Sequence, residues 1–125
     1  MKTLKTSIKS TLMIDDKEIN NTDLINIFLE NGLYLKIVSD KEDYIEGVKD
    51  NKYNCIMINS DLPNDNTTKI INQIKGFYPW IIVIIILNEP VLESVIKYVR
   101  IGVDDFIQKP FVWTELEALL KYYYY

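Results

Sequence analysis

Histidine is absent from the 125-residue sequence, and cysteine, arginine and alanine occur once each, as Cys55, Arg100 and Ala118. Without histidine there is no Ser-His-Asp triad, no Cys-His dyad, no imidazole base and little basis for a zinc site. One cysteine cannot close an internal disulfide, and Cys55 lies in an apolar run, so a reducing, cytoplasmic setting is expected. Long apolar runs are also missing. The longest, Trp80 to Leu87, has eight residues, against the roughly 20 that a membrane-spanning helix needs. Met1 to Thr11 mixes Lys, Thr and Ser without an apolar stretch, so no secretion signal is read there. Positive charge is in the minority, with 14 basic against 18 acidic residues and a net charge of −4. A domain that binds nucleic acid by counterion release is normally basic, which argues against direct nucleic-acid binding.

What is present describes a globular chain. Hydrophobic residues make up 48% and charged residues 26%. The length suits one domain, residues 1–125, that buries a core without disulfide or metal staples. Isoleucine occurs 20 times, lysine 13 and asparagine 11, a bias that reads as drift in base composition.

The chain alternates between two periodicities. Short β-type runs stand at Leu12 to Ile14, Tyr34 to Val38, Cys55 to Ile58, Ile81 to Leu87 and Phe106 to Ile107. Between and after them come helical stripes: Ile19, Leu24, Ile27 and Phe28; Tyr44, Ile45 and Val48; Ile70, Ile71, Ile74 and Phe77; Val91, Leu92, Val95, Ile96 and Val99; Leu116, Leu119 and Leu120. Five strands alternating with five helices predict a parallel sheet covered on both faces. Capping boxes are read at Ser39/Glu42 and Thr114/Glu117, Pro90 suits a first helical turn, and Gly32 and Gly102 suit left-handed helix ends.

In such sheets, function gathers at the carboxyl ends of the strands. Asp15 and Asp16 follow the first run; Asn59, Ser60, Asp61, Leu62 and Pro63 end the third; Leu87 and Asn88 end the fourth; Lys109 and Pro110 follow the fifth. An Asp-Asp pair can offer oxygen ligands to a hard cation such as Mg²⁺, or simply open a loop. Lys109 can bring a positive charge to the same rim, or be an ordinary surface lysine.

These segments together resemble the receiver domain of two-component response regulators over about residues 11–122. Leu12-Met-Ile-Asp15-Asp16 is similar to the family's first strand and acidic pair. Asn54-Cys-Ile-Met-Ile-Asn59-Ser-Asp61-Leu-Pro63 is similar to its third strand and phosphoacceptor loop. Gly102-Val-Asp-Asp-Phe106-Ile-Gln-Lys109-Pro110-Phe111 is similar to its lysine-proline segment. The resemblance implies a flavodoxin-like (βα)₅ fold with strand order 2-1-3-4-5. It also implies a signalling module rather than an enzyme, with phosphorelay partners: a sensor histidine kinase or an output protein.

Two positions depart from that family. Asn59 stands where the family has its phosphoacceptor aspartate, and an amide cannot form an acyl phosphate. Leu87 stands where a Ser or Thr hydroxyl is usual and carries no donor. Thr67 takes the place of a usual glycine, while Lys109 and Phe106, the lysine and the aromatic switch, are retained. The implied metal set is Asp15, Asp16, Asn59 and Asp61, and losing one carboxylate weakens it. A receiver signalling without phosphorylation is the expectation. The alternatives are an active receiver with a displaced acceptor, Asp61 or Asp16, or an Asn59 that is an altered form of aspartate. A flavodoxin-like small-molecule binder is opposed by the acids after the first run, and an aspartyl-phosphate hydrolase by the lack of an Asp-x-Asp arrangement. The partner or homodimer face is expected on the fourth helix, fifth strand and fifth helix, with Lys97, Tyr98, Arg100, Ile101, Asp104, Asp105, Phe106, Glu117 and Lys121 on it. The four terminal tyrosines cannot all lie on one helical face.

Overall fold

The computed structural model describes residues 10–15, 22–39, 48, 49, 52–89 and 91–124. Five parallel strands lie in the order β2-β1-β3-β4-β5: β1 Ser10–Ile14, β2 Tyr34–Val38, β3 Cys55–Asn59, β4 Ile82–Leu87 and β5 Asp105–Gln108. Among the described residues four α-helices flank them: α1 Thr22–Glu30, α2 Asn66–Phe77, α3 Leu92–Arg100 and α4 Trp113–Tyr124. Residues 48 and 49 are also helical. The rest of the expected second helix, with Tyr44, Ile45 and Glu42, lies outside the described residues, as do Asp16, Ile19 and Pro90.

The period of two along each strand divides the core. Leu12, Ile14, Ile56, Ile58, Val83 and Ile85 face one way and pack with Ile70, Ile71 and Ile74 of α2 and Tyr98 of α3. Met13, Met57, Ile84 and Ile86 face the other way and pack with Leu24 and Phe28 of α1 and Leu116 and Leu120 of α4. Both faces of β3 and β4 are covered, so their sequences need no polar alternation. The edges are short or charged: β5 has four residues, and β2 exposes Lys36, which blunts pairing with another chain.

Gly32 and Gly102 end α1 and α3 at φ of 74° and 96°. Leu33 N–H bonds to the Phe28 carbonyl and Val103 N–H to that of Tyr98, a closure that needs a left-handed residue between.

Three expectations require correction. The Thr114 cap is displaced: α4 begins at Trp113, and Leu116 N–H donates to the Val112 carbonyl, so Thr114 lies inside the first turn. The stripe on α3 is rotated by one residue, and of the expected residues Val95 keeps its contact with the core. Leu92, Ile96 and Val99 are 72%, 42% and 57% exposed, and Tyr98 is the one residue of α3 that is buried. Its aromatic ring fills more of the core than a branched side chain, and the hydroxyl finds a carbonyl (below). Phe77, the end of the α2 stripe, is also exposed.

Cys55 is fully buried on β3, next to Thr11 in register. Burial pushes its thiol up strongly, outweighing the Thr11 hydroxyl beside it. Native protein at mildly alkaline pH should therefore react with a thiol reagent at least ~100-fold more slowly than the urea-unfolded chain. Comparable rates in the two states would show that β3 opens freely.

Candidate functional site

The strand order reverses beside β1: the chain steps from β1 out to β2, then returns to place β3 on the other side. A crevice opens at the carboxyl ends of two strands that diverge in this way. The sheet ladder continues one residue past the strand ends, through Asp15 N–H to Val38, Ser60 N–H to Ile86 and Lys109 N–H to Leu87. These bonds hold the rim segments in place.

Asp15 is 2% exposed and Asn59 fully buried. Asn59 Nδ2 donates to Asp15 Oδ1 at 3.0 Å, and Lys109 Nζ donates to Asp15 Oδ2 at 2.7 Å. Asn59 Oδ1 accepts from the Asp61 backbone N–H at 2.8 Å and from Asn88 Nδ2 at 2.9 Å. The orientation of the Asn59 amide follows from its neighbours. Flipping it would set oxygen against a carboxylate and NH₂ against two donors. Asn88 Nδ2 also reaches Asp61 Oδ2 at 2.6 Å. Beneath these groups, the buried Thr67 hydroxyl donates to the Asn59 carbonyl at 2.7 Å.

The fold thus brings together Asp15, Asn59, Asp61 and Lys109, which the sequence singled out, and adds Asn88 and Thr67 as working parts. Asn88 was legible only as an amide directly following a strand. Leu87 is buried in the core, and Phe106 is half-buried against the same cluster; neither side chain has a hydroxyl. An open cleft of about 350 Å³ lies over Asn88, with Asp61 and Glu89 among its walls.

A hard divalent cation wants oxygen ligands, several of them anionic. Here both Asp15 oxygens accept from an ammonium and an amide, and Asn59 turns its N–H toward the carboxylate. Among the described residues no cluster of three or more His, Cys, Asp and Glu side chains converges to hold a metal. Among the described residues, Asp15, Asn59 and Asp61 so bonded do not fit Mg²⁺; Asp16 lies outside the described residues.

Beside the rim, Asp65 is held by Lys97 Nζ at 3.1 Å and Thr68 Oγ1 at 3.0 Å, which keep its carboxyl below the usual range. Asn64 and Asp65 both adopt left-handed backbone, φ 57° and 55°, a conformation that Asn and Asp tolerate better than most residues. The Lys109–Pro110 peptide is cis.

The expected partner face is altered by internal bonds. Asp104 Oδ2 accepts from Lys75 Nζ at 2.7 Å and Val83 N–H at 2.8 Å, and Asp105 Oδ2 from the Tyr123 hydroxyl at 3.0 Å. Tyr98, expected on that face, is buried, and its hydroxyl donates to the Ser60 carbonyl at 3.2 Å. Of the terminal tyrosines, Tyr122 is exposed and Tyr123 is tied to β5.

Burial, with the Asp65 and Asp61 carboxylates nearby, pushes the Tyr98 hydroxyl up; burial and the Asp105 carboxylate push Tyr123 up. A raised folded-state value means that the neutral phenol is favoured in the native protein. The stability this contributes is complete below the free-tyrosine value of 10.0 and is lost as pH rises above it. An absorbance titration of the native protein should leave at least two tyrosines un-ionised until the chain unfolds. Uniform ionisation near the free value would contradict this.

No helix among the described residues is long and apolar enough to cross a membrane. Residues 11–121 match the family model of the response regulator receiver domain. An NtrX-like response regulator of Rickettsia bellii (strain RML369-C) is 25% identical over 117 residues, covering 92% of this chain and 24% of that protein. The chain therefore spans about a quarter of the length of that curated relative. A two-component response regulator structure from Clostridium difficile superposes with a TM-score of 0.80 at 21% identity, covering 91% of this chain and 93% of that one. The beryllofluoride-activated NtrC4 receiver domain dimer superposes with a TM-score of 0.75 at 23% identity, covering 92% and 95%.

Proposed function

Because the chain belongs to the response regulator receiver domain family of two-component systems, we propose that it carries its signal by protein contact, with no phosphoryl group on residue 59. The observation that supports this reading is the bonding of Asn59. Its oxygen uses both lone pairs on the Asp61 N–H and the Asn88 amide, and its nitrogen donates to Asp15. A receiver acceptor must be a free carboxylate, nucleophilic at oxygen; here the group is a neutral amide engaged at both ends. Lys109, which is similar to the lysine of the family's lysine-proline segment, is paired with Asp15. The Asp61 and Glu89 carboxylates in the cleft oppose the approach of an anionic phosphodonor. In this reading the domain is not an enzyme, and Mg²⁺ binds weakly or not at all at Asp15 and Asn59.

Receiver domains bind kinases and output proteins and can dimerise. Contact through α3, β5 and α4 is part of this proposal, supported by the exposed Leu92, Ile96 and Val99 on α3 and by Lys97 and Arg100 beside them.

The test is acetyl phosphate with Mg²⁺, read by intact-protein mass, beside an Asn59→Asp/Leu87→Thr double variant. The native chain should gain no phosphoryl mass while the variant does. Stoichiometric labelling of the native chain, on Asp61 or elsewhere, would overturn the reading.

A further inference from the structure

The helix α3 meets the core through Tyr98 and, partly buried, Val95. Of its nine residues only Tyr98 is buried, at 5% exposure, while Leu92, Ile96 and Val99 face outward. The Tyr98 ring packs in the core cluster that includes Leu62 and Leu87. Its hydroxyl continues past that cluster to the carbonyl of Ser60, the residue following Asn59. The carbonyl of Asn59 itself is taken by Thr67. Two consecutive carbonyls of the rim loop are thus held by hydroxyls, one of them on α3. A second, exposed link runs from Lys97 on α3 to Asp65 on the same loop.

Leu87 removes the usual hydroxyl at the end of β4, and Phe106 has none, so neither side chain can pass a hydrogen bond from the rim to the outer helices. We propose that Tyr98 is the positioning residue that couples the Asn59 loop to α3, holding the exposed stripe of that helix in register with the amide network through its bond to Ser60. The chemistry is specific: the bond needs a phenol of this reach, because a phenylalanine keeps the ring and loses only the donor. The inference rests on the reading of a receiver whose site is held by hydrogen bonds, and it names the connection through which that site acts on α3.

The test is a double-mutant cycle on the full chain, with Tyr98→Phe and Asn59→Ala, read by amide hydrogen exchange in α3 and in the central strands. Tyr98→Phe alone should speed exchange in α3 at least about fivefold relative to β3 and β4. In the native background Asn59→Ala should also speed α3 exchange. In the Tyr98→Phe background that further effect should shrink by about threefold or more, which is coupling. A merely structural role for the ring gives additive effects, and additivity overturns the proposal. If Asn59→Ala does not fold, Asn88→Ala, which loosens the same amide, takes its place in the cycle under the same criterion. The outcome is separable from the phosphorylation assay: labelling of the native chain would sink the phosphorylation-independent reading and leave the coupling, and additivity would do the reverse.

Discussion

In EDTA, Asn59→Asp is expected to melt roughly 10 °C below the native protein, and millimolar Mg²⁺ to restore most of the loss. The substitution replaces the N–H that lies 3.0 Å from Asp15 Oδ1 with a second carboxylate oxygen. Two buried carboxylates at that separation cannot both ionise without large cost. Lys109 is a single charge and already pairs with Asp15, so one negative charge is left over. An uncompensated charge in such surroundings costs about 2–3 kcal/mol once relaxation and partial hydration are allowed for. A divalent cation reverses the sign of the problem, because the variant supplies the third anionic oxygen that the native rim lacks. Calorimetry with and without Mg²⁺ checks this. The native melting temperature should be nearly insensitive to Mg²⁺, and a variant that is as stable as the native chain in EDTA would show that the Asn59 amide is not what balances Asp15.

Lys109→Met is expected to cost about 3 kcal/mol, and the double variant Asp15→Asn/Lys109→Met to recover at least half of it. The Asp15 carboxylate is fully buried and the Lys109 side chain about one-fifth exposed. Removing Lys109 takes away the positive charge that balances the buried Asp15 carboxylate, which is the costly direction; replacing both by neutral groups is far milder. The value is taken at the lower end of the usual range because the lysine retains contact with water. In the double variant the Asn59 N–H can still donate to the oxygen of the new amide, while the new NH₂ faces the methionine without a strong acceptor, which keeps the recovery partial. Urea unfolding of the four proteins in the cycle measures the effect. A loss under about 1 kcal/mol for Lys109→Met would mean that Asp15 is satisfied by other groups. The Lys97–Asp65 pair is the contrasting case: both side chains are about half exposed or more, and removing Lys97 should leave the unfolding midpoint within experimental scatter.

Much of this architecture is visible in local patterns. The run Ile82 to Leu87 has no polar partner along it, and only a central strand covered on both sides accommodates that. Gly32 and Gly102 stand where a helix must end in left-handed backbone, and both do. The site was half visible for a related reason: Asp15, Asn59, Asp61 and Lys109 each follow a run that can be recognised as a strand, and strand ends are where such sheets place chemistry. What local pattern misjudged was α3. Its apolar residues allow two stripes one position apart, and hydrophobicity alone favours the aliphatic one. The fold buries Tyr98 instead, because a carbonyl on a loop 38 residues away accepts its hydroxyl.

Residue order alone therefore established a five-stranded parallel α/β domain, the absence of an acceptor carboxylate at residue 59 and of a hydroxyl at residue 87, and the exclusion of histidine chemistry. These are properties of single positions and short periods. Tertiary structure decided what the remaining groups do. Asp15 meets Lys109 across 94 residues, and Asn59 meets Asp15 across 44 and Asn88 across 29. No periodicity within a strand or helix encodes such meetings. They arise because parallel strands joined by crossover helices bring distant chain segments to one rim, where burial requires every polar group to find a partner. There the amide that removes the acceptor also becomes the centre of the network that holds the rim together.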